Sequence, residues 1–540
     1  MLPAARLEIR LADPSLTRSN TPLGIEWVSD DGDIRISAEL CPKGHLAHLF
    51  AWREIASSRN IYYACARDRI VIADSFRDIL ASLDPDDRRL DPDAVVAHLL
   101  FRTVPAERTY VSAVRRLGAG CALTWDSNIG ALQVSEPTRL ESVSGKGAPT
   151  DISSWLEGQS EGLRHRTGVV NLLSGGIDST LVQTYLGESV PTLSATMDSE
   201  EFADEVRYAL AASSMLGSRH RLVHCSETAW ADNVVDAVRA SGLPPHHLQT
   251  TLIHRAFDTE FESFVTSLGA DGLFGFEAAA IAPDLDTLGR QVRDAIYRRL
   301  PLRILPRHRH ADLWLSRGSV RDPCGYGASF ALFTDLGLIE EYFGRDAVIR
   351  ALHNRLDYTL KRLPAEIPPG IHGHLHVGHW VDYFCEDTFA IWRQLGFSRK
   401  KMLVTPFGTP DAARIAIGIP AFQRYARRGR VKYLLKDLLK SRLPAYDVDQ
   451  RKGHSGLPLE RFVADGFVDT LVERYGVPTE LTDLAVALQS REMRQKHAQT
   501  WWNIATFAVW TREVLANPDL RPHLTGYSVS FPICVNQLTK

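Results

Sequence analysis

The stretch LLSGGIDST, Leu172 to Thr180, decides how this chain is read. It lies where the short apolar run Gly168 to Leu173, a buried strand by its pattern, passes into helical periodicity that continues to Leu186. Gly175 and Gly176 permit positive φ and close backbone approach. The free N–H groups of a helix start, with the hydroxyls of Ser174 and Ser179, can hold phosphate oxygens. The loop carries no lysine, so it is not the G-x-x-x-x-G-K-[ST] phosphate loop, and its acid, Asp178, would repel phosphate unless a cation stood between them. The acid therefore implies Mg²⁺. The plainer alternative is a turn followed by an early helix acid favoured by the helix dipole.

Outward from this loop the pattern alternates. Thr192 to Met197 is strand-like, Ala203 to Leu216 helical, and His220 to His224 and Phe264 to Leu268 read as further strands. That order predicts a doubly wound parallel sheet with crossover helices. From about Leu332 the chain reads as predominantly helical, including Val431 to Leu443. Toward the N-terminus the reading is β-rich, with Ile34 to Leu40, Ile61 to Ala66 and Arg69 to Ala73 as strands and a helix from about Asp91 to Leu100. The stretch SVSGKGAPTD, Ser142 to Asp151, gathers Ser, Gly and Pro without apolar periodicity, which predicts an exposed linker and a domain boundary near residue 146.

A chain of 540 residues exceeds what one core usually fills, so two domains are expected. The formal net charge of −3 supplies no global attraction to nucleic acid or anionic membrane, and neither is expected as a partner. The seven cysteines are scattered, without C-x-x-C pairs or a cluster with histidine, and read as reduced thiols. Neither a signal peptide nor a run of about 18 apolar residues is present, so a cytoplasmic protein with no membrane span is expected. Lysine is scarce: none lies between Lys146 and Lys361, so a lysine acting at the phosphate loop must come from far along the chain. The segment Tyr297 to Arg317 gathers six arginines with His308 and His310, which suits either a solvated loop or a docking surface for an acidic peptide.

The S-G-G-x-D-S order resembles the N-type ATP pyrophosphatases, whose loop binds the pyrophosphate portion of ATP while a carboxylate attacks the α-phosphate. The likeness extends to one branch, the asparagine synthetase family with its relatives that make β-lactams, carbapenams and lasso peptides. Asp204-Glu205 with the helix and strand after it, GADGLFG (Gly269 to Gly275), TPFGTPD (Thr405 to Asp411), VKYLLKDLLKSRLP and QRKGHSGLP are similar to that family's ordered motifs over most of residues 168 to 458. The resemblance implies ATP and Mg²⁺ as cofactors, with Asp178 and Asp271 as metal ligands. It also implies that Leu172, Ala195, Met197 and Gly269 line the nucleotide, in company with the loop residues. Lys432 would reach the ATP phosphates, although spacing alone also fits a solvated helix face shared with Lys436 and Lys440. Lys452 would stabilise the acyl-adenylate and its tetrahedral intermediate. Because Arg451 is adjacent where relatives separate the arginine and lysine by one residue, Arg451 could share that role.

Two departures shape the functional expectation. Relatives place Glu or Tyr three residues before the metal aspartate; this chain has Leu268, which cannot accept a proton. Glu386 in YFCEDTFAIW is a candidate replacement base, or else a solvated or capping carboxylate. Glutamine-using relatives carry a cysteine nucleophile after the initiator Met, and Leu2 has no attacking atom. DRIVIADSFRDIL (Asp68 to Leu80) and the segment Arg89 to Trp125 nevertheless resemble the glutaminase fold and its junction. The resemblance thus implies a degenerate Ntn-type, class II glutamine amidotransferase-like β-sandwich over residues 1–145 and a synthetase domain over 146–540. With no ammonia source, the nucleophile is expected to be an amine of the substrate itself. This points to a lasso-peptide cyclase acting on a precursor peptide, with a leader-binding protein and leader peptidase as accessory partners. A β-lactam or carbapenam synthetase, an ammonia-dependent asparagine synthetase, and a catalytically inactive scaffold are the alternatives.

Overall fold

The computed structural model describes residues 6–30, 32–66, 69–139, 152–199, 202–245, 247, 249–275, 292, 296, 334, 336–362, 386–419, 424, 426–427, 430–450, 459–518 and 527–533. The proposed linker around residue 146 and the arginine-rich segment 297–317 lie outside these residues.

The N-terminal part is built of β1 (Arg6–Leu11), β2 (Leu16–Thr21), β3 (Gly24–Ser29), β4 (Ile34–Leu40), β5 (Leu46–Arg53), β6 (Tyr62–Ala66), β7 (Arg69–Ala73), β8 (Val114–Arg116), β9 (Ala122–Asp126) and β10 (Leu132–Val134). Strict alternation drives the pairing: in β4, Ile34, Ile36 and Ala38 are buried while Arg35 faces out. One sheet runs β10-β9-β5-β4-β3-β2, antiparallel throughout. The other contains β1-β7-β6-β8, with β1 and β7 parallel. Leu7, Ile9, Leu11, Ile70 and Ile72 of this second sheet share a core with Trp27, Ile36, Leu49 and Leu123 of the first, so the two sheets pack face to face.

The outer face of the β1-containing sheet is covered by helices from both ends of the chain. Val71 and Ala73 share a core with α1 (Phe76–Ala81), α2 (Pro92–Phe101) and the helix Ala498–Trp510, whose Trp502, Phe507 and Trp510 are buried. In addition β18 (Tyr527–Pro532) pairs antiparallel with β1, setting Ile9 opposite Val529. The C-terminal strand thus completes the N-terminal sheet and closes its β1 edge, which would otherwise expose unpaired backbone groups.

The central part forms the predicted parallel sheet. Its members are β11 (Val169–Leu172), β12 (Thr192–Met197), β13 (His220–Cys225), β14 (Ser263–Val265) and β15 (Met402–Val404), in the order β13-β12-β11-β14-β15. α3 (Ile152–Arg164) leads into β11, and the helices between successive strands from β11 to β14 are α4 (Ile177–Leu186), α5 (Ala203–Met215), α6 (Trp230–Ser241) and α7 (Gln249–Ala256). β14 is shorter than the predicted run to Leu268. The Thr266 hydroxyl accepts from the Leu268 N–H and Gly269 takes φ 95°, so the chain leaves the sheet early and turns into α8 (Ala270–Phe274). Among the described residues no helix is long and apolar enough to cross a membrane, and Cys41, Cys65, Cys121 and Cys225 form no disulfide.

Candidate active site

In the parallel sheet the strand order reverses at β11, whose neighbours β12 and β14 lead away in opposite directions. Loops at the carboxyl ends of strands diverge there and leave a crevice, the usual ligand position of open α/β sheets. The loops leaving β11 and β14 carry Asp178 and Asp271, each in the first turn of the following helix.

The Ser174–Gly176 loop is fixed on several sides. Ser179 Oγ accepts from the Ser174 N–H at 3.2 Å and lies 3.1 Å from Ser174 Oγ, which in turn accepts from the Gly176 N–H at 3.3 Å. Gly175 has φ +71°, and a Cβ there would stand 2.3 Å from the carbonyl carbon of Tyr208, so only glycine lets α5 cross this closely. The Gly175 carbonyl accepts from Tyr446 Oη at 2.6 Å and from Gln450 Nε2 at 3.1 Å. This clamp was not foreseen, because a tyrosine and an amide between two motifs carry no periodic or spacing signal. The first helical bond of α4 runs from Thr180 N to Gly176 O, so the N–H groups of Ile177, Asp178 and Ser179 have no acceptor within the helix.

Lys432 closes the site from the far end of the chain. It follows the hairpin of β16 (Ala426–Arg427) and β17 (Arg430–Val431), takes φ 56°, and stands at the N-terminus of the helix Tyr433–Arg442. That helix packs along α4: Leu435 and Leu439 are buried, Arg442 lies 3.8 Å over the Tyr185 ring, and its Nη2 donates to the Thr184 carbonyl at 2.8 Å. The Lys432 ammonium donates to Asp178 Oδ2 at 2.6 Å and contacts Asp271 Oδ1. Burial alone would lower its pKa, but the two carboxylates more than offset this and raise it, so it is a cation.

Residues 161–324 match the asparagine synthase family model. The match takes in the loop Ser174–Ser179, Gly269 and Asp271; Lys432 lies beyond it. It supports an asparagine-synthetase-like reading of this part of the chain, and a mixed α/β architecture with a parallel sheet is consistent with it. No curated protein matched the chain.

The other expected site residues fall in three groups. Leu172 ends β11 half-buried, Ala195 is half-buried on β12, and Gly269 caps α8 in the left-handed region, all at or near the carboxyl edge of the sheet. Met197 is on the same strand, but it is buried, its side chain in the core with Phe202, Cys225 and Trp230. Arg451 and Lys452 lie outside the described residues. Thr405 of the TPFGTPD motif donates to the Leu268 carbonyl at 2.6 Å, binding the β15 loop to the turn that presents Asp271.

Glu386 is held in a buried charge cluster. Its carboxylate is buried and shared by Arg53 at 3.0 Å and Arg116 at 3.5 Å, and it accepts from Tyr358 Oη and the Ala119 N–H. Burial would raise its pKa, but the two arginine charges and the Tyr358 bond more than offset it and hold the carboxyl below the usual range. Such a carboxylate is a poor proton acceptor; it joins the β5 and β8 ends to the helix Arg345–Leu360. Glu386→Gln is expected to cost ~3–5 kcal/mol of stability, as for a buried pair that loses one charge, read by denaturant unfolding. Because the folded-state pKa is depressed, the carboxylate's contribution is present above the ordinary glutamate range and lost as pH falls through the folded value. The gap between wild type and variant should therefore close in acid.

Proposed function

We propose that this chain is an ATP-dependent carbon–nitrogen ligase that activates a carboxylate as an acyl-adenylate and passes the acyl group to an amine. In the first step a carboxylate oxygen attacks the α-phosphorus and the bond to pyrophosphate breaks. In the second an amine nitrogen attacks the acyl carbon, AMP leaves with the carbon–oxygen electron pair, and the amine gives up a proton. The observation that carries this reading is the meeting of Asp178, Asp271 and Lys432 beside an S-G-G-x-D-S loop at the switch point of the sheet.

The donor set suits a hard cation. Among the described residues no cluster of three or more His, Cys, Asp or Glu is arranged to hold a metal, whereas Mg²⁺ commonly takes only one or two carboxylates and fills its shell with water and substrate phosphate. Asp178 and Asp271 would hold it, and when bound it would neutralise phosphate oxygens and favour attack at the α-phosphorus. Ser174, Ser179 and the α4 amides would bind the pyrophosphate portion. Leu172, Ala195, Met197 and Gly269 would line the nucleoside. Lys432 would meet the phosphates, and Lys452, or Arg451 beside it, the developing oxyanion.

The product we propose is a macrolactam, made when the N-terminal amine of a precursor peptide attacks its own adenylated Asp or Glu side chain. Leu268 provides no base where relatives have one, and Leu2 offers no attacking atom where glutamine-using relatives carry a cysteine. A folded peptide that carries its amine to the acyl group at high effective concentration depends less on a strong base than capture of free ammonia does. The arginine-rich segment 297–317 would suit such a substrate or its delivery protein. The test combines enzyme, ATP, Mg²⁺ and the precursor encoded beside it, with the leader peptidase and leader-binding protein, and looks for loss of one water from the peptide mass. Equal AMP release with ammonia and aspartate, or with a small β-amino acid, would overturn the macrolactam reading. ATP–pyrophosphate exchange absent with every acyl substrate would favour a scaffold. Glutamate release from glutamine is expected to stay at background; release dependent on the purified chain would remove the argument for a substrate-borne amine.

A further inference from the structure

We propose that Lys432 is a resident counter-ion in the divalent-cation seat between Asp178 and Asp271, so that the seat accepts a cation well only together with a polyphosphate that draws the ammonium away. The proposal rests on the reading of Asp178 and Asp271 as metal ligands. A cation bonded to both carboxylates must lie within about 2.1 Å of an oxygen of each. The Lys432 ammonium already bridges them, 2.6 Å from Asp178 Oδ2 and in contact with Asp271 Oδ1, so it stands in the space such a cation needs.

The backbone keeps it there. Lys432 adopts φ 56°, a conformation uncommon for a residue with a Cβ, between a short hairpin and a helix anchored on α4. Arg430, two residues earlier, pairs with Asp437 at 2.9 Å and Asp449 at 3.2 Å, which fixes the hairpin to the same helix. The Cα position is thus held, while a four-carbon stem lets the ammonium move within the site. Two carboxylates and one ammonium sum to a single negative charge. Adding a divalent ion alone places two cations side by side and leaves the seat net positive. A polyphosphate arriving with the metal gives the ammonium other anionic partners and leaves both carboxylates to the metal. Metal and nucleotide should accordingly bind with strong positive coupling, and that coupling should reside in the Lys432 charge.

The experiment titrates Mn²⁺ into the full chain, followed by its electron paramagnetic resonance signal, with and without an ATP analogue bearing a methylene between the α and β phosphorus atoms, correcting for complex formed in solution. Wild type is expected to bind Mn²⁺ alone at least tenfold more weakly than in the presence of the analogue. Lys432→Met should bind Mn²⁺ alone at least tenfold more tightly than wild type and lose most of the coupling; Lys432→Arg, which keeps the charge, should behave as wild type. Equal Mn²⁺ affinity in wild type with and without the analogue would overturn the proposal with no variant needed, as would Lys432→Met binding Mn²⁺ no more tightly than wild type. Asp178→Asn separates the two layers. Unchanged binding of the Mn²⁺–analogue complex to that variant would remove the metal reading itself, whereas lost binding there with no gain in Lys432→Met would remove only the counter-ion.

Discussion

Asp178→Ala is expected to lower ATP-dependent AMP formation by about 10³-fold or more while leaving the fold intact. The side chain sits in the first turn of α4, 20% exposed, and accepts from the Lys432 ammonium, which retains Asp271 when Asp178 is removed. Little packing is lost, so unfolding should shift by no more than an ordinary surface change does. The catalytic loss is of another order. Without one of two carboxylates the phosphates face an incomplete charge shell at the moment negative charge builds on the α-phosphoryl group, and such electrostatic terms dominate phosphoryl-group chemistry. Asp271→Ala should act alike. Turnover within tenfold of wild type, a difference of only ~1.4 kcal/mol in the barrier, would mean that the aspartates do not hold the metal. Pyrophosphate exchange together with a thermal melt separates lost chemistry from lost folding.

Lys452→Ala is expected to leave ATP binding nearly unchanged and to cost about 10²–10³ in rate, the usual effect of removing one donor to a developing oxyanion. The described chain ahead of it is anchored at the phosphate loop. Gln450 donates to the Gly175 carbonyl at 3.1 Å and to Tyr446 Oη at 2.7 Å, which pins the chain beside the phosphate loop. Single-turnover rates under saturating ATP distinguish Lys452 from Arg451. A crippling Arg451→Ala beside a harmless Lys452→Ala would transfer the role to the arginine, and two harmless substitutions would mean that neither meets the oxyanion.

The parts that were legible in the sequence are those governed by local physics. A strand, a glycine pair, an acid and hydroxyls in one order specify the loop because each residue answers a requirement within a few positions: glycine at φ +71°, an acid in a helix's first turn, hydroxyls at a helix start. The β4, β7 and β12 limits were readable from pattern, since β strands declare themselves by alternation or by short apolar runs. The lysine-free span from Lys146 to Lys361 likewise required that any lysine at the loop arrive from afar, and Lys432 does.

Only the tertiary structure could decide the long-range pairings. β15 is three residues long, too short for any periodicity, and β18 returns to β1 from the opposite end of the chain. Glu386 shows the limit most plainly. As a carboxylate in an aromatic-rich helical stretch it is compatible with a base, a cap or a solvated charge. Arg53 and Arg116, distant in sequence, make it a buried ion-pair partner. The Tyr446 and Gln450 clamp on Gly175, and the Lys432 bridge between Asp178 and Asp271, belong to the same class. Local propensity fixes what a residue can do in its own element. Which charge or hydroxyl it finally meets depends on how elements hundreds of residues apart bury their apolar faces together, and no window of sequence contains that sum.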